Sequence, residues 1–364
     1  MESFYTWNLS VNVLLSGVRS VELDSWDGSN GEPIITHGPA QLTRVTPVLF
    51  KDILTAIAET AFVSFDYPVI LSFENHCSIK QQKKMAAYCK EIFGDMLLTD
   101  VLPDYPIKPG VPLPSPSSLR WKILIKNKKI KRKANDNLRR RVLTSVDSIT
   151  KQSSFDSTES DRISQDEDQT CSADYETDDG SDEKALEPDD ILFQSDTYKN
   201  QIGQDSVDGV KSGTGIDAEL IAQELFDLVN YMRAMGKITS FAKYDARNMS
   251  SEMYSMTETR AYKLVKQTPI EFVNHNKRQI TRVYPKGKHV DSSNFWPIKF
   301  WNCGCQMVAL NMQTPDEPFQ MKSAFFEHNG GSGYILKPSV MRKADAKYNP
   351  FETGNMDLVV PAYL

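Results

Sequence analysis

Val21-Glu22-Leu23-Asp24-Ser25-Trp26-Asp27-Gly28 opens the stretch around which this chain is organised, and Pro33-Ile34-Ile35-Thr36-His37-Gly38 closes it. Apolar and polar residues alternate through the first segment, the period of a half-buried strand. Glu22 and Asp24, two apart, then leave the same strand face. Two carboxylates on one face repel unless a cation or proton sits between them. Oxygen-only ligands of this kind suit a hard ion such as Ca²⁺ or Mg²⁺. His37 follows within reach of a chain that turns back, and an imidazole suits proton transfer near neutral pH. The same trio also reads as an exposed edge strand with a histidine satisfied nearby.

Working outward, residues 11–25 read as an apolar strand approach ending in Glu22 and Asp24. Residues 47–63 carry apolar positions at helical spacing. Pro68–Phe73 is a short apolar run, as in a strand buried on both faces. Ile79–Phe93 reads as a helix with a polar face rich in Gln, Lys and Glu, and Ile123-Leu124-Ile125 as another buried strand. This strand–helix rhythm is that of a parallel α/β sheet, although closure into a barrel does not follow from periodicity. Further along, Leu220–Met235 has helical spacing, Phe241–Tyr244 reads as a short strand, and Arg260–Val273 as a helix. Ile280–Tyr284 and Met307–Asn311 read as strands. Gly330-Gly331-Ser332-Gly333 lacks a following Gly-Lys-Ser/Thr, so it is no phosphate loop but a turn into a strand.

The chain has 364 residues, a formal net charge of −6 and a 40% apolar fraction, enough for a sizeable core. No apolar run is long enough to span a bilayer, and Glu2 with no basic flank argues against a signal peptide. Five scattered cysteines suit a reducing, intracellular compartment. Cys303-Gly304-Cys305 has no partner ligands at zinc spacing and reads as a strand with buried thiols. From Lys131 the composition shifts. A basic run gives way to an acidic tract, with fifteen acidic residues against two basic ones between Ser153 and Asp190. Such a segment cannot bury enough apolar surface to offset its entropy and is expected to be disordered.

Several motifs together resemble the phosphoinositide-specific phospholipase C family. Glu22-Leu23-Asp24-x-Trp26-Asp27-Gly28, Thr36-His37-Gly38, Leu71-Ser72-Phe73-Glu74-Asn75-His76 and Leu113-Pro114-Ser115-Pro116 are similar to the late part of its X region. Arg282–Gly287, Asp291-Ser292-Ser293-Asn294 and Phe300–Asn311 are similar to its Y region, in wording closest to the beta class. The resemblance implies a distorted (β/α)₈ barrel of TIM type, split into X and Y halves by the acidic linker. The boundaries it implies are 1–130 for a partial X region, 131–215 for the linker and 216–364 for the Y region.

By motif, Glu22, Asp24 and Glu74 match acidic ligands of the family's catalytic Ca²⁺, with Glu22 and Glu74 also in the catalytic set. His37 matches the second catalytic histidine. Lys126, Lys128, Ser255 and Arg282 match residues that hold the inositol ring phosphates, and Tyr284 matches the aromatic against the ring. Ser255 also opens a Ser-x-x-Glu capping box with Glu258. His76 reads as structural. The implied reaction is cleavage of phosphatidylinositol 4,5-bisphosphate into diacylglycerol and inositol trisphosphate, a step of signal transduction. The substrate would lie in the inner face of the plasma membrane, met from the cytoplasm. Heterotrimeric G-protein subunits are partners implied by the beta-class wording, and nothing points to nucleic acid. In the family this linker is used for autoinhibition.

The departures are specific. The family's first catalytic histidine and an asparagine ligand beside it belong upstream of Glu22, yet residues 1–36 contain no histidine. The first barrel strand is expected to be missing. Pro39–Pro47 is a short insertion, and Trp121 stands where the family usually has a small residue. A barrel that binds phosphoinositide or a partner without turnover is therefore the alternative reading. Another metal-dependent phosphodiesterase is a third, which the Y-region motifs disfavour.

Overall fold

The alternation at Val21–Asp27 builds β1 (Ser20–Asp27), with Leu23 and Ser25 buried while Glu22 and Asp24 leave the other face. A computed structural model describes residues 12–36, 46–128 and 221–352, except 237, 239, 288 and 290. His37, most of the Pro39–Pro47 insertion, and the basic and acidic tracts lie outside the described residues.

β1 pairs antiparallel with β2 (Pro33–Ile35), which pairs with β3 (Val48–Leu49). On its other side β1 runs parallel to β4 (Val69–Asn75), followed by β5 (Ile123–Lys128), β6 (Arg233–Met235), β7 (Glu252–Thr257), β8 (Ile280–Tyr284) and β9 (Met307–Val308). The helices between them are α1 (Phe50–Thr60), α2 (Ile79–Phe93), α3 (Gln223–Phe226), α4 (Phe241–Arg247), α5 (Glu258–Gln267), α6 (Pro269–Asn276), α7 (Ile298–Trp301) and α8 (Glu317–Glu327).

Side chains alternate between two environments. Leu23, Leu71, Phe73, Ile123 and Ile125 pack outward against Phe50, Ile53, Leu54 and Ile57 of α1 and Met85 and Phe93 of α2. Tyr254, Met256 and Val283 do the same against α5 and α6. The opposite face carries Ile70, Leu124 and Met253, which share one cluster with Ile280 and Met307. One apolar cluster runs along this face from β4 to β9, and the sheet that carries it is curled. A side-chain ion pair makes the curvature explicit: Glu22 on β1 meets Arg282 on β8. Those strands are five steps apart in the ladder, about 24 Å along a flat sheet. The sheet therefore wraps into a barrel-like trough, its hydrogen-bonded ladder ending at β3 on one side and β9 on the other and open between them among the described residues. Backbone closes part of that gap, because a Cβ on Gly17 would lie 1.8 Å from the Gly331 carbonyl.

Several expectations change. Residues 12–15 form a helical turn before β1 rather than strand. Of Leu220–Met235, the described residues 221–235 contain only the short α3 and then β6, because Leu225, Leu228, Val229, Tyr231 and Met232 are all buried and their spacing serves a compact turn as well as a helix. Phe241–Tyr244 begins helix α4, and Arg260–Val273 is two helices broken at Thr268-Pro269. The strand at Met307–Asn311 shrinks to two half-buried residues. No strand follows the glycine turn at 330–333, which instead packs against Gly17. Cys303 and Cys305 are buried as expected but sit in a turn after α7, not a strand. On α2 the polar face is partly internal. Buried Gln82 donates to the Cys77 carbonyl at 2.7 Å and accepts from the Ala222 amide at 2.8 Å, stitching the two halves of the sequence. Trp121 has φ +62°, a conformation in which a glycine carries no Cβ penalty. Its exposed ring lies 5.5 Å from Phe62.

α6 also buries His275, with both ring nitrogens lacking a hydrogen-bond partner and Phe241 and Tyr254 each 5.4 Å away. Burial, then the positive charges of Arg278 and Lys337, push its pKa down to about 4. The unfolded imidazole titrates near 6.5, so between these values the unfolded chain holds the extra proton. Stability is full above about pH 6.5 and falls as pH drops towards 4, by about 3 kcal/mol in all. His275→Phe is expected to flatten this acid limb in urea titrations between pH 7 and 5. An unchanged slope would assign the acid sensitivity to other groups.

Candidate active site

The inner face of the trough changes character along the strands. Its lower row is apolar, and the rows towards the strands' carboxyl ends are polar. Parallel register fixes the first polar row, Glu22 opposite Ser72 and Ser72 opposite Lys126. Asp24 lies opposite Glu74 in the next. Across the trough, Ser255 lies opposite Arg282 and Thr257 opposite Tyr284. This is the end of such folds at which side chains from many strands converge.

Glu22, Asp24 and Glu74 each present a carboxylate oxygen, and these all lie within 4.8 Å of one another. Oxygens bound to Ca²⁺ at 2.3–2.6 Å can be no more than about 5 Å apart, so the spacing and the all-oxygen donor set fit a hard cation. Positive charge already borders the cluster. The Arg282 guanidinium pairs with Glu22 Oε2, and the Ser72 hydroxyl donates to Glu22 Oε1 at 3.1 Å. His76 Nε2 lies 3.2 Å from Glu74 Oε1, and this hydrogen bond holds the Glu74 carboxyl below the ordinary carboxylate range. His76 also stacks on Trp26, with centroids 4.1 Å apart. It braces Glu74 from outside the cluster.

The cationic residues differ in setting. Lys126 is only 7% exposed, and its ammonium donates to Ser72 Oγ at 2.8 Å. Burial, then the nearby charge of Arg282, lowers its pKa to about 8, while Glu22 and Glu74 act the other way. At pH 7 it remains a cation. Lys128 ends β5 exposed, on the same face by the two-residue period. Arg282 is buried, and its Cζ lies 5.1 Å from the Tyr284 ring centroid. Ser255 Oγ is buried without a hydrogen-bond partner, a cost normally met by a ligand or water. The capping-box reading of Ser255 does not hold. Ser255 lies inside β7, and Thr257 caps α5 by accepting from the Arg260 amide.

Of the site residues read from sequence, Glu22, Asp24, Glu74, Lys126, Ser255, Arg282 and Tyr284 share this inner face, with Lys128 at its edge. His37 lies outside the described residues, yet its neighbour Thr36 donates its amide to the Asp24 carbonyl at 3.1 Å. Sequence reasoning misses Ser72. The two-residue period that selects Glu74 also selects Ser72, which stands within the Leu71–His76 motif with no role attached to it.

Models of the phosphatidylinositol-specific phospholipase C X domain and Y domain match residues 6–129 and 225–340 respectively. The human 1-phosphatidylinositol 4,5-bisphosphate phosphodiesterase beta-2 is 43% identical over 357 residues, covering 97% of this chain and 28% of that protein. A Drosophila melanogaster 1-phosphatidylinositol 4,5-bisphosphate phosphodiesterase is 40% identical over 351 residues, 96% of this chain and 30% of its own. The crystal structure of L. pealei PLC21 superposes with a TM-score of 0.69 at 40% identity, covering 95% of this chain and 36% of that one. The chain thus spans about a third or less of the length of these relatives. Two domain models matching in order, on a curled α/β sheet that gathers their motif residues onto one face, establish that the chain belongs to the phosphatidylinositol-specific phospholipase C family.

Proposed function

We propose that this chain forms the catalytic core of a Ca²⁺-dependent phosphodiesterase that cleaves phosphatidylinositol 4,5-bisphosphate to diacylglycerol and inositol trisphosphate. The observation that carries this reading is the meeting of three carboxylates with Lys126 and Arg282 towards the carboxyl ends of four strands. Glu22, Asp24 and Glu74 would hold the cation, which when bound acidifies the ring 2-hydroxyl and stabilises charge at phosphorus. A carboxylate of the same group accepts the 2-hydroxyl proton as that oxygen attacks phosphorus and the bond to the glycerol oxygen breaks, and the cyclic phosphodiester so formed is then opened by water to inositol trisphosphate. Lys126, Lys128, Arg282 and Ser255 engage the ring phosphates, Arg282 by its planar fork. Tyr284 lies against the ring, and His37 delivers a proton to the departing glycerol oxygen. The substrate sits in a membrane surface, and no helix among the described residues is long and apolar enough to cross a membrane. A cytoplasmic protein acting at the inner face of the plasma membrane under G-protein control belongs to the same proposal.

Binding of the head group without turnover is the second reading, supported by the gathering of Lys126, Ser255 and Arg282 on the inner face, which serves binding as well as cleavage. Both readings require the phosphate pocket. Arg282→Ala is expected to weaken inositol 1,4,5-trisphosphate binding by about 2 kcal/mol in calorimetry, the worth of one charge-assisted hydrogen bond, and to affect unphosphorylated inositol far less. Equal losses for the two ligands would remove Arg282 from the pocket.

A further inference from the structure

Ser72 is completely buried, and both the donor and an acceptor site of its hydroxyl are taken by protein partners, so it is not one of the groups read as touching the substrate. It nevertheless sits between the two halves of the site. Its Oγ accepts from the Lys126 ammonium at 2.8 Å and lies 3.1 Å from Glu22 Oε1, to which it donates. The three residues occupy one row across β1, β4 and β5, in register. A hydroxyl can accept from one neighbour while donating to another, as this place requires. Lys126 is itself buried and flanked by the like charge of Arg282. A flexible four-carbon stem carrying a charge in such a place needs a fixed acceptor to hold one geometry.

We propose that Ser72 is a positioning residue, setting the Lys126 ammonium against a ring phosphate and tying it to the carboxylate cluster through Glu22. The proposal rests on the head-group reading above. Ser72 fixes Lys126 from beneath, leaving the remaining ammonium protons to point into the trough. It also orients Glu22, so that the phosphate-binding and cation-binding groups are aligned before either ligand arrives. Pre-organisation of this kind appears as affinity, because less ordering remains to be done on binding.

The test is a double-mutant cycle on residues 1–364, read by calorimetry with inositol 1,4,5-trisphosphate in chelator and with Ca²⁺ alone. Lys126→Met is expected to weaken trisphosphate binding about 30-fold and Ser72→Ala about tenfold. The double variant should bind no worse than Lys126→Met by itself, because the serine acts through the lysine. A merely structural serine would lower the thermal midpoint and give independent, multiplicative losses instead. Ser72→Ala that binds as wild type, or losses that multiply, would overturn the proposal. Wild-type binding unaffected by Lys126→Met would instead sink the head-group reading on which it stands. If Ser72→Ala does not fold, Ser72→Cys keeps the volume with a much weaker donor and acceptor, and the same cycle applies. Ca²⁺ affinity should fall about threefold or less in Ser72→Ala, since Glu22 keeps Arg282. A loss of Ca²⁺ affinity exceeding the loss in trisphosphate binding would make Glu22, not Lys126, the group that Ser72 chiefly positions, and would overturn the proposal.

Discussion

Replacing His37 by alanine is expected to slow phosphoinositide hydrolysis by roughly 10²–10⁴-fold, the usual range for a lost general acid or base. The assay needs a protein extended to carry the family's histidine–asparagine strand ahead of Glu22, because residues 1–36 hold no histidine. Thr36 supplies the structural reason to choose this residue. Its amide donates to the Asp24 carbonyl, so the last described residue before His37 in the sequence is tied to the strand that carries two of the carboxylates. Residues 1–364 alone are expected to turn substrate over slowly or not at all. Robust turnover by that chain, or by the extended His37→Ala protein, would show that the two-histidine mechanism is wrong.

Asp24→Asn is expected to weaken Ca²⁺ binding about 100-fold, a loss of about 3 kcal/mol. The substitution conserves shape and removes one of three charges whose oxygens lie within 4.8 Å. Affinity at such sites tracks the number of charged ligands. Saturating Ca²⁺ should raise the thermal midpoint of the unsubstituted chain by several degrees, following mass action on the folded state. That shift should vanish in Asp24→Asn at the same concentration. Calorimetry and thermal denaturation together decide it. An unaltered dissociation constant would mean that the cation, if bound, uses other oxygens. Arg282 gives an internal control, since its guanidinium pairs with Glu22 and competes for the same carboxylate.

The amino-acid sequence by itself determined the elements with unambiguous periods. Ile79–Phe93 and Ile280–Tyr284 have the bounds that their apolar spacing indicates, and the buried run at Val69–Phe73 is a central parallel strand. It also determined that Glu22 and Asp24 share a face, because alternation along a strand is a local property. The acidic stretch and His37 are legible only as composition and motif. Tertiary structure decided everything that depends on residues distant in the chain. The trough closes through contacts such as Glu22 with Arg282 and Gly17 with Gly331, which no local window contains. Segments such as Phe241–Tyr244, where Phe241 and Tyr244 pack half-buried against the core, and residues 221–235, largely buried, depart from their apparent periods because packing against neighbouring elements overrides weak local preference. Ser72 is illegible for the same reason. A serine in an apolar run means little until parallel register sets a carboxylate on one side of it and an ammonium on the other.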